Sequence, residues 1–359
     1  MKIQIINSKG HWFNGWFLNA NSLQTAVDTL SKAGIRIAVE EVENVTQLEQ
    51  VLKNIPPDTL VWGNAYYVNA SEGQVVWLND YLQARGLPFL GAGATTLKQV
   101  LKKDVCQTIL AKEGLPVPPY LVIAQEKKSF VEQVIRDVDI DFPWVLKPTS
   151  ESGSVGVTMA YNLDEAAQKA RQILQDYPLS KVIVEAFLPG KEITCGFLQL
   201  ADEMLLLPTY YELALILDRD TRLQAWDSGG KEQLILTDDT IRAQLKGQMP
   251  RLVEALDIQD ISRVDGRIDS QGMMRYFDIN GLPGLSFPRS ITVKQCCACF
   301  PMYAPQEVYE ALLNTIVHNA LLRYNMEVPL HLQKHNLFTL KSNIVIKNKV
   351  PSRSNILSF

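Results

Sequence analysis

Three oxygen-bearing side chains are spaced so that one cation could meet all of them. Residues 263–269 read Arg263-Val-Asp265-Gly-Arg267-Ile-Asp269, a Ser-Gln-Gly turn follows, and 273–280 read Met273-Met-Arg-Tyr-Phe-Asp278-Ile-Asn280. Two apolar-alternating runs around such a turn predict the strands of a hairpin. If the turn lies between Asp269 and Met274, Asp265 faces Asp278 across the strands and Arg263 faces Asn280. Asn280 then shares the face of Asp278, because side chains alternate with a period of two. Opposed carboxylates repel and are tolerated best with a cation between them. Two aspartates and an asparagine suit Mg²⁺, which keeps waters and takes substrate phosphates as its remaining ligands. The same residues would also make a solvated, charged hairpin face.

A second segment, Phe142-Pro-Trp-Val-Leu-Lys147-Pro-Thr-Ser150-Glu-Ser152-Gly153-Ser154-Val-Gly156, reads as a strand ending in a lysine, then a loop of small residues. Backbone N–H groups of such a loop can close over phosphate oxygens, and the lysine adds a point charge. Glycine-serine turns between strands are common, and no G-x-x-x-x-G-K-[ST] run is present. A third segment, Val182-Ile-Val-Glu185-Ala-Phe-Leu188-Pro-Gly-Lys-Glu192, sets two carboxylates at a strand exit. Carboxylates there could accept from an adenine amino group and from ribose hydroxyls, or could simply be surface acids.

The elements that would carry these segments belong to a folded, mixed α/β chain. In 359 residues, 47% are hydrophobic and 21% charged, which excludes disorder as the main state. A formal charge of −4 gives no global drive toward nucleic acid or anionic lipid, so small-molecule substrates are expected, without nucleic-acid or membrane partners. No apolar run approaches a membrane span, and five cysteines without a disulfide-like spacing fit a reducing compartment; the expected location is cytoplasmic.

Strands are predicted at 2–7, 35–42 and 59–62 and helices at 22–33, 45–55 and 72–85, an open parallel-sheet lobe. Helical text over 96–114 ends at Gly114, with Pro116, Pro118 and Pro119 behind it. Strands at 120–124, 143–147 and 155–160, a helix at 129–138 and a helix from Leu163 with a capping-box-like Asn162-x-x-Glu165 start come next. Strands at 182–187 and 192–200 and a helix at 308–323 follow. The expected division is an N-terminal lobe (1–104), a central lobe (105–184), a C-terminal lobe (185–341) and a weakly ordered basic tail (342–359).

Taken in order, the three segments make the chain resemble the ATP-grasp ligases, and within them the D-alanine–D-alanine ligase family. The likeness covers roughly residues 1–325 and implies a three-lobed ATP-grasp fold. It also implies an ATP-dependent, ADP-forming ligation of an amino acid to an acceptor, with two Mg²⁺ ions, or Mn²⁺ in their place. A homodimer is an allowed assembly. By resemblance, Lys103 and Lys147 hold the nucleotide phosphates with Gly153 and Gly156 of the loop, Glu185 and Leu188 contact adenine, and Glu192 takes the ribose. Asp265, Asp278 and Asn280 match the Mg²⁺ ligands, Asp278 standing where the family more often has Glu. Arg263 and the N–H of Gly284 match the groups that stabilise the tetrahedral intermediate. Lys231 matches a lysine carried by a mobile loop, and Ser154 the second of two paired serines.

The substrate side departs from this pattern. Residues 1–27 contain no Asp or Glu to anchor an ammonium. Instead they carry His11-Trp12-Phe13-Asn14-Gly15-Trp16-Phe17, suited either to a ring-bearing substrate or to core packing. Gly153 replaces the first paired serine, Glu232 stands for a tyrosine, and Arg289, followed by Ser290 and Lys294, replaces a small polar residue near the carboxylate site. An acidic second substrate is therefore expected. The chain is similar in this respect to ligases that attach an amino acid to mycosporine-glycine, with a plain D-alanine–D-alanine ligase as the alternative. Cys296-Cys-Ala-Cys299 and His331-x-x-x-His335 lie too far apart for a zinc finger, so structural cysteines are expected.

Overall fold

The computed structural model describes the chain except residues 10–15, 18, 57, 72–73, 137, 152, 214–230, 349–355 and 359, and except the side chains of 210–213, 231–233, 345–348 and 356–358. The first lobe runs β1 (Lys2–Ser8), α1 (Ala20–Lys32), β2 (Arg36–Val42), α2 (Val45–Lys53), β3 (Thr59–Gly63), β4 (Tyr67–Ser71), β5 (Gln74–Trp77), α3 (Leu78–Ala84), α4 (Ala94–Leu101) and α5 (Lys103–Lys112). Strands β2-β1-β3 form the expected parallel sheet. Asn19 and Asn44 start α1 and α2 by accepting the N–H of Ser22 (2.9 Å) and Gln47 (3.0 Å).

Two expectations fail here. The helix expected over 72–85 is instead the β4–β5 hairpin followed by a helix from Leu78. Val68 pairs with Val76 and Tyr67 with Trp77, whose rings meet edge-on at 6.0 Å, so β-branched and aromatic cross-strand pairs outweigh a helical reading. The helix expected over 96–114 breaks at Lys102 (φ −90°, ψ 97°), which makes Lys103 the first residue of a new helix. The Lys103 N–H, unneeded inside the helix, donates to the Thr149 carbonyl at 2.9 Å.

The central lobe comprises β6 (Tyr120–Ile123), a 3₁₀ turn (Gln125–Phe130), α6 (Val131–Arg136), β7 (Trp144–Pro148), β8 (Thr158–Ala160), α7 (Leu163–Asp176) and β9 (Val182–Ala186). Its antiparallel sheet, in the order β6-β9-β7-β8, buries Ile123, Trp144, Leu146 and Val184 against α6 and α7. Asn162 accepts the N–H of Glu165 (2.9 Å), and Glu165 accepts that of Tyr161 (3.1 Å), so α7 begins where its sequence indicates.

The last lobe contains β10 (Glu192–Leu200), β11 (Glu203–Leu213), β12 (Lys231–Ile235), α8 (Asp239–Ala255), β13 (Ile261–Ile268), β14 (Met274–Asn280), α9 (Ile291–Cys299), α10 (Pro305–Arg323), α11 (Leu330–Lys334), α12 (Leu337–Asn348) and β15 (Ile356–Ser358). Its sheet runs β12-β11-β10-β13-β14, with β15 beside β11. Helices α5 and α8 pack one face through Leu110, Leu245 and Met249, and α9 and α10 pack the other. The tail beyond 341 has described secondary structure. It holds the end of α12 and a strand that takes the sheet edge offered by Met204–Leu206, a backbone opportunity that leaves no side-chain period to read. The boundaries expected at 104, 184 and 341 each fall inside an element, α5, β9 and α12. Among the described residues no helix is long and apolar enough to cross a membrane.

The first and last lobes are tied by Asp260, which is fully buried in the left-handed region (φ 61°). Its carboxylate accepts from Gly91 N–H (2.7 Å), Arg323 (3.1 Å) and the Asn319 amide. Arg323 also donates to the carbonyls of Phe89 (2.6 Å) and Gly91 (3.1 Å). An Asp260→Asn variant sets an N–H among three donors and removes the charge that faces the guanidinium. It should lose about 3 kcal/mol in urea unfolding, with an unchanged denaturant slope.

Candidate active site

The hairpin forms, and its register carries a correction. Near the turn Ile268 pairs with Met274 and Gly266 with Tyr276, one residue out of step with a turn between Asp269 and Met274. A β-bulge between Asp265 and Gly266 leaves Phe277 as the extra residue, and beyond it Asp265 pairs with Asp278 and Arg263 with Asn280. Met274, Tyr276 and Ile279 all enter the core against α5 and α8, so the bulge turns Asp278 and Asn280 to the opposite face. A Cβ on Gly266 would run into the Arg275 carbonyl and Met274, which explains the glycine and is the signal that could have revealed the bulge.

Asp265 is the hub of that face. Its carboxylate accepts from Thr194 Oγ1 (2.5 Å), Arg263 Nε (3.1 Å) and Nη2 (2.9 Å), and Asn280 Nδ2 (3.1 Å). Thr194 stands opposite it on β10, a partner the sequence could not reveal because β10 and β13 are far apart in the chain. Asp278 makes no hydrogen bond to a described residue. It lies close enough to Cys106 and Tyr66 that its charge adds to the upward push that burial gives both. Lys103 acts on the same Cys106 thiol from the opposite sign, and Lys147 Nζ lies 4.6 Å from the Phe277 ring. Asp278 and both lysines therefore lie in one neighbourhood.

Lys147 and Glu185 form a buried pair at 2.6 Å, and Gln107 donates to the other Glu185 oxygen at 2.6 Å. Glu185 is thus held between Lys147 and Gln107. Gln107 was missed, although it lies one turn after Lys103 on α5; its Oε1 is buried without a partner among the described residues. Lys103 Nζ donates to the Glu151 carbonyl, tying the lysine to the small-residue loop. In that loop Gly153, Ser154 and Gly156 all have positive φ (63°, 62° and 70°), and Val157 N–H donates to the Ser154 carbonyl (3.3 Å), so the loop is a tight turn of small residues. Space beside Gly153 is open, whereas a Cβ on Gly156 would strike Pro148 and Tyr177, so packing alone requires that glycine.

Glu192 pairs with Arg267 (3.4 Å), its neighbour across β10 and β13, and Arg267 also donates to the Leu188 carbonyl (3.2 Å). Arg267 was overlooked, though it lies two residues from Asp265 and hence on the same face. At the other end of the cleft Tyr66 accepts from Leu282 N–H (3.3 Å). Ser290 accepts from Ser286 N–H (2.8 Å) and lies 3.0 Å from where a Gly284 Cβ would stand, so it braces the Gly284 loop. Arg289 and Lys294 are exposed at the start of α9. Lys231 and Glu232 lie on β12 with side chains outside the described residues, as do residues 11–15.

Trp16 and Phe17 are core residues. Trp16 donates to the Gly63 carbonyl (3.0 Å) and meets Trp62 edge-on at 6.1 Å, which removes both from any substrate pocket. Cys296 and Cys299 are buried beneath α10, and burial raises both thiols. His331 instead bonds Glu310 (2.9 Å) and stacks on His335. Among the described residues no cluster of three or more His, Cys, Asp or Glu could hold a metal. The hairpin offers two carboxylates and an amide oxygen, hard donors that fit Mg²⁺ carrying phosphate and water as further ligands. Asp265 is saturated by protein donors, so a cation there would take the place of at least one of them.

Gly266→Ala should lose about 2 kcal/mol and most activity, because the bulge cannot close around a methyl group. Gly272→Ala, at a turn position with φ 77° and open space, should cost less and keep activity; thermal unfolding and phosphate release measure both. Asp269 braces the same turn. Burial alone would raise its carboxyl, but N–H donors from Met273 (2.9 Å) and Gln271 (2.8 Å) and Arg275 Nε (2.6 Å) together hold it below the usual range. That stabilisation is present above the unfolded value of about 3.9 and fades as pH falls through the lower folded value. Asp269→Asn should therefore be less stable than the wild type at pH 6, and the difference should shrink as pH falls through the lowered folded value.

Comparison with known proteins agrees with this geometry. Residues 109–296, just over half the chain, match the family described as D-ala D-ala ligase C-terminus. A D-alanine–D-alanine ligase of Gloeobacter violaceus is 28% identical over 272 residues, covering 75% of this chain and 84% of the relative. That of Mycobacterium bovis is 26% identical over 259 residues, covering 68% and 65%. In fold, the D-alanine–D-alanine ligase of Bacillus anthracis superposes with a TM-score of 0.67 at 19% identity, covering 90% of this chain and 99% of that one. The VanG D-Ala:D-Ser ligase of Enterococcus faecalis gives 0.68 at 16% identity, covering 89% and 99%. The chain has the ATP-grasp fold and belongs to the D-alanine–D-alanine ligase family, as an ATP-dependent, ADP-forming ligase.

Proposed function

We propose that the protein joins two amino acids, D-alanine being the pair that its relatives' names favour. The carboxylate of the first takes the γ-phosphoryl group of ATP, leaving ADP, and the amine of the second then displaces phosphate to form the amide. The observation that carries this reading is the convergence of Asp265, Asp278 and Asn280 on the face that holds Arg263, beside Lys103 and Lys147. Mg²⁺ bound by those three would neutralise the phosphates during transfer.

The chain's own groups divide the remaining work. Lys103, Lys147 and the N–H groups of the Gly153–Ser154 turn hold phosphate oxygens, while Leu188 and Glu192 line the base and ribose. Arg263 and Gly284 N–H stabilise the oxyanion of the displacement step. Arg289, Lys294 and the start of α9 receive the carboxylate of the second amino acid, with Ser290 shaping that turn. Lys231 adds a further positive charge for the phosphates, and water exclusion protects the activated carboxylate.

A second reading, with mycosporine-glycine as one substrate, draws on the absence of acids in residues 1–27 and on the exposed Arg289, which favour a substrate other than alanine. It no longer draws on Trp16 or Phe17. Purified protein given ATP, Mg²⁺ and a panel of D- and L-amino acids, with and without mycosporine-glycine, should release phosphate only with a complete substrate pair. Product mass identifies that pair. ADP formation that ignores every amine overturns ligation, and a mycosporine adduct without D-alanyl-D-alanine favours the second reading. Arg263→Lys should lower kcat about 100-fold while nucleotide affinity changes less than about twofold, since one oxyanion donor is displaced.

A further inference from the structure

The segment from Leu188 to Glu192 is held against β13 by three main-chain or side-chain links. Gly190 N–H donates to the Ile268 carbonyl (3.0 Å), Ile268 N–H donates to the Lys191 carbonyl (3.1 Å), and Arg267 donates to the Leu188 carbonyl (3.2 Å). A Cβ on Gly190 would collide with Ile268, so the approach is close. Arg267 alone reaches beyond the backbone. It pairs with Glu192 at 3.4 Å, and its guanidinium lies 5.2 Å from the Phe187 ring centroid while the residue is 9% exposed.

A guanidinium in such a place needs a reason other than stability. Replacing a buried ion pair by apolar groups of similar volume is often neutral or stabilising. What a planar fork adds is direction, since it fixes two acceptors at once. Here Arg267 donates to the Leu188 carbonyl and its Nε faces the Glu192 carboxylate at 3.4 Å as an ion pair, at the two ends of one short segment. A carboxylate has about four acceptor positions, enough in number for a guanidinium and two neighbouring hydroxyl groups.

We propose that Arg267 is a positioning residue for nucleotide recognition: it aims Glu192 at the ribose, so that the affinity contributed by the ribose hydroxyls depends on it. This rests on the reading above in which Glu192 takes the ribose. It adds a residue to nucleotide selection that touches the nucleotide only through its neighbours, and it couples the segment from Leu188 to Glu192 to the strand bearing Asp265.

Equilibrium binding of MgATP and of its 2′,3′-dideoxy analogue to the full chain tests this in the wild type, Arg267→Met, Arg267→Lys and Glu192→Gln. The wild type should prefer ATP. Arg267→Met should weaken ATP about tenfold, the worth of one charge-assisted hydrogen bond, and change the dideoxy analogue less than about twofold. Arg267→Lys, which keeps charge without the fork, should fall between. Retained binding of the analogue also shows that the variant is folded. Equal loss of both ligands in Arg267→Met marks a merely structural role and overturns the proposal, as does an unchanged preference for ATP. Glu192→Gln separates the two levels. If it erases the preference while Arg267→Met does not, only the role of Arg267 is wrong. If it keeps the preference, the ribose role of Glu192 fails and this inference falls with it.

Discussion

One extra residue in β14 decides whether this protein has a site. Strand side chains alternate with a period of two, so Met274 and Tyr276, which enter the core, would carry Asp278 and Asn280 in with them. The bulge at Phe277 breaks that parity, and Ile279 takes over the inward position. Asn280, which would otherwise be buried without a partner at a cost of roughly 1–3 kcal/mol, is delivered to Asp265 instead, and Asp278 is turned to the same face. Gly266 is the other half of the arrangement, because only a residue without a Cβ lets β13 pass the Arg275 carbonyl so closely.

Around this hub the cleft is organised by buried ions in pairs: Lys147 with Glu185, Arg263 with Asp265, and Arg267 with Glu192. Such pairs add little to folding, since desolvation of both partners offsets their attraction. Their consequence is geometric. Each cation expected to meet phosphate or oxyanion already has a fixed position, and each acid expected to meet ligand is directed by its cation. Binding exchanges partners within a preorganised set, which costs less than ordering free side chains would. Asp260 plays the corresponding role between lobes, fixing Gly91 and α10 against the start of β13.

Legibility followed the range of the interactions. Helix starts at Asn44 and Asn162, the parallel strands of the first lobe and the hairpin itself rest on contacts within a few residues, and their residues announce them. The β4–β5 hairpin was hidden because Val75, Val76 and Trp77 suit a helix or a strand, and pairing with Tyr67 and Val68 decided between them. The helix break at Lys102 depends on the Thr149 carbonyl, and β15 depends on the free edge of β11. Neither partner is near in sequence.

The site shows the same division. Residue types and spacing alone identified Asp265, Asp278, Asn280 and Lys147 as chemically competent, because the donor set and strand period are local properties, while Arg263 gained its role only from the resemblance. The facing of Asp265 and Asp278 was anticipated from a turn position that is one residue out, and the bulge restores it. Tertiary structure alone assigned Trp16 and Phe17 to the core, gave Glu185 to Lys147 and Gln107, and brought Thr194 and Arg267 to the acids. The physical reason is that hydrogen-bonding capacity belongs to a residue, whereas the partner that satisfies it is set by strands and helices brought together over distances the local pattern does not encode.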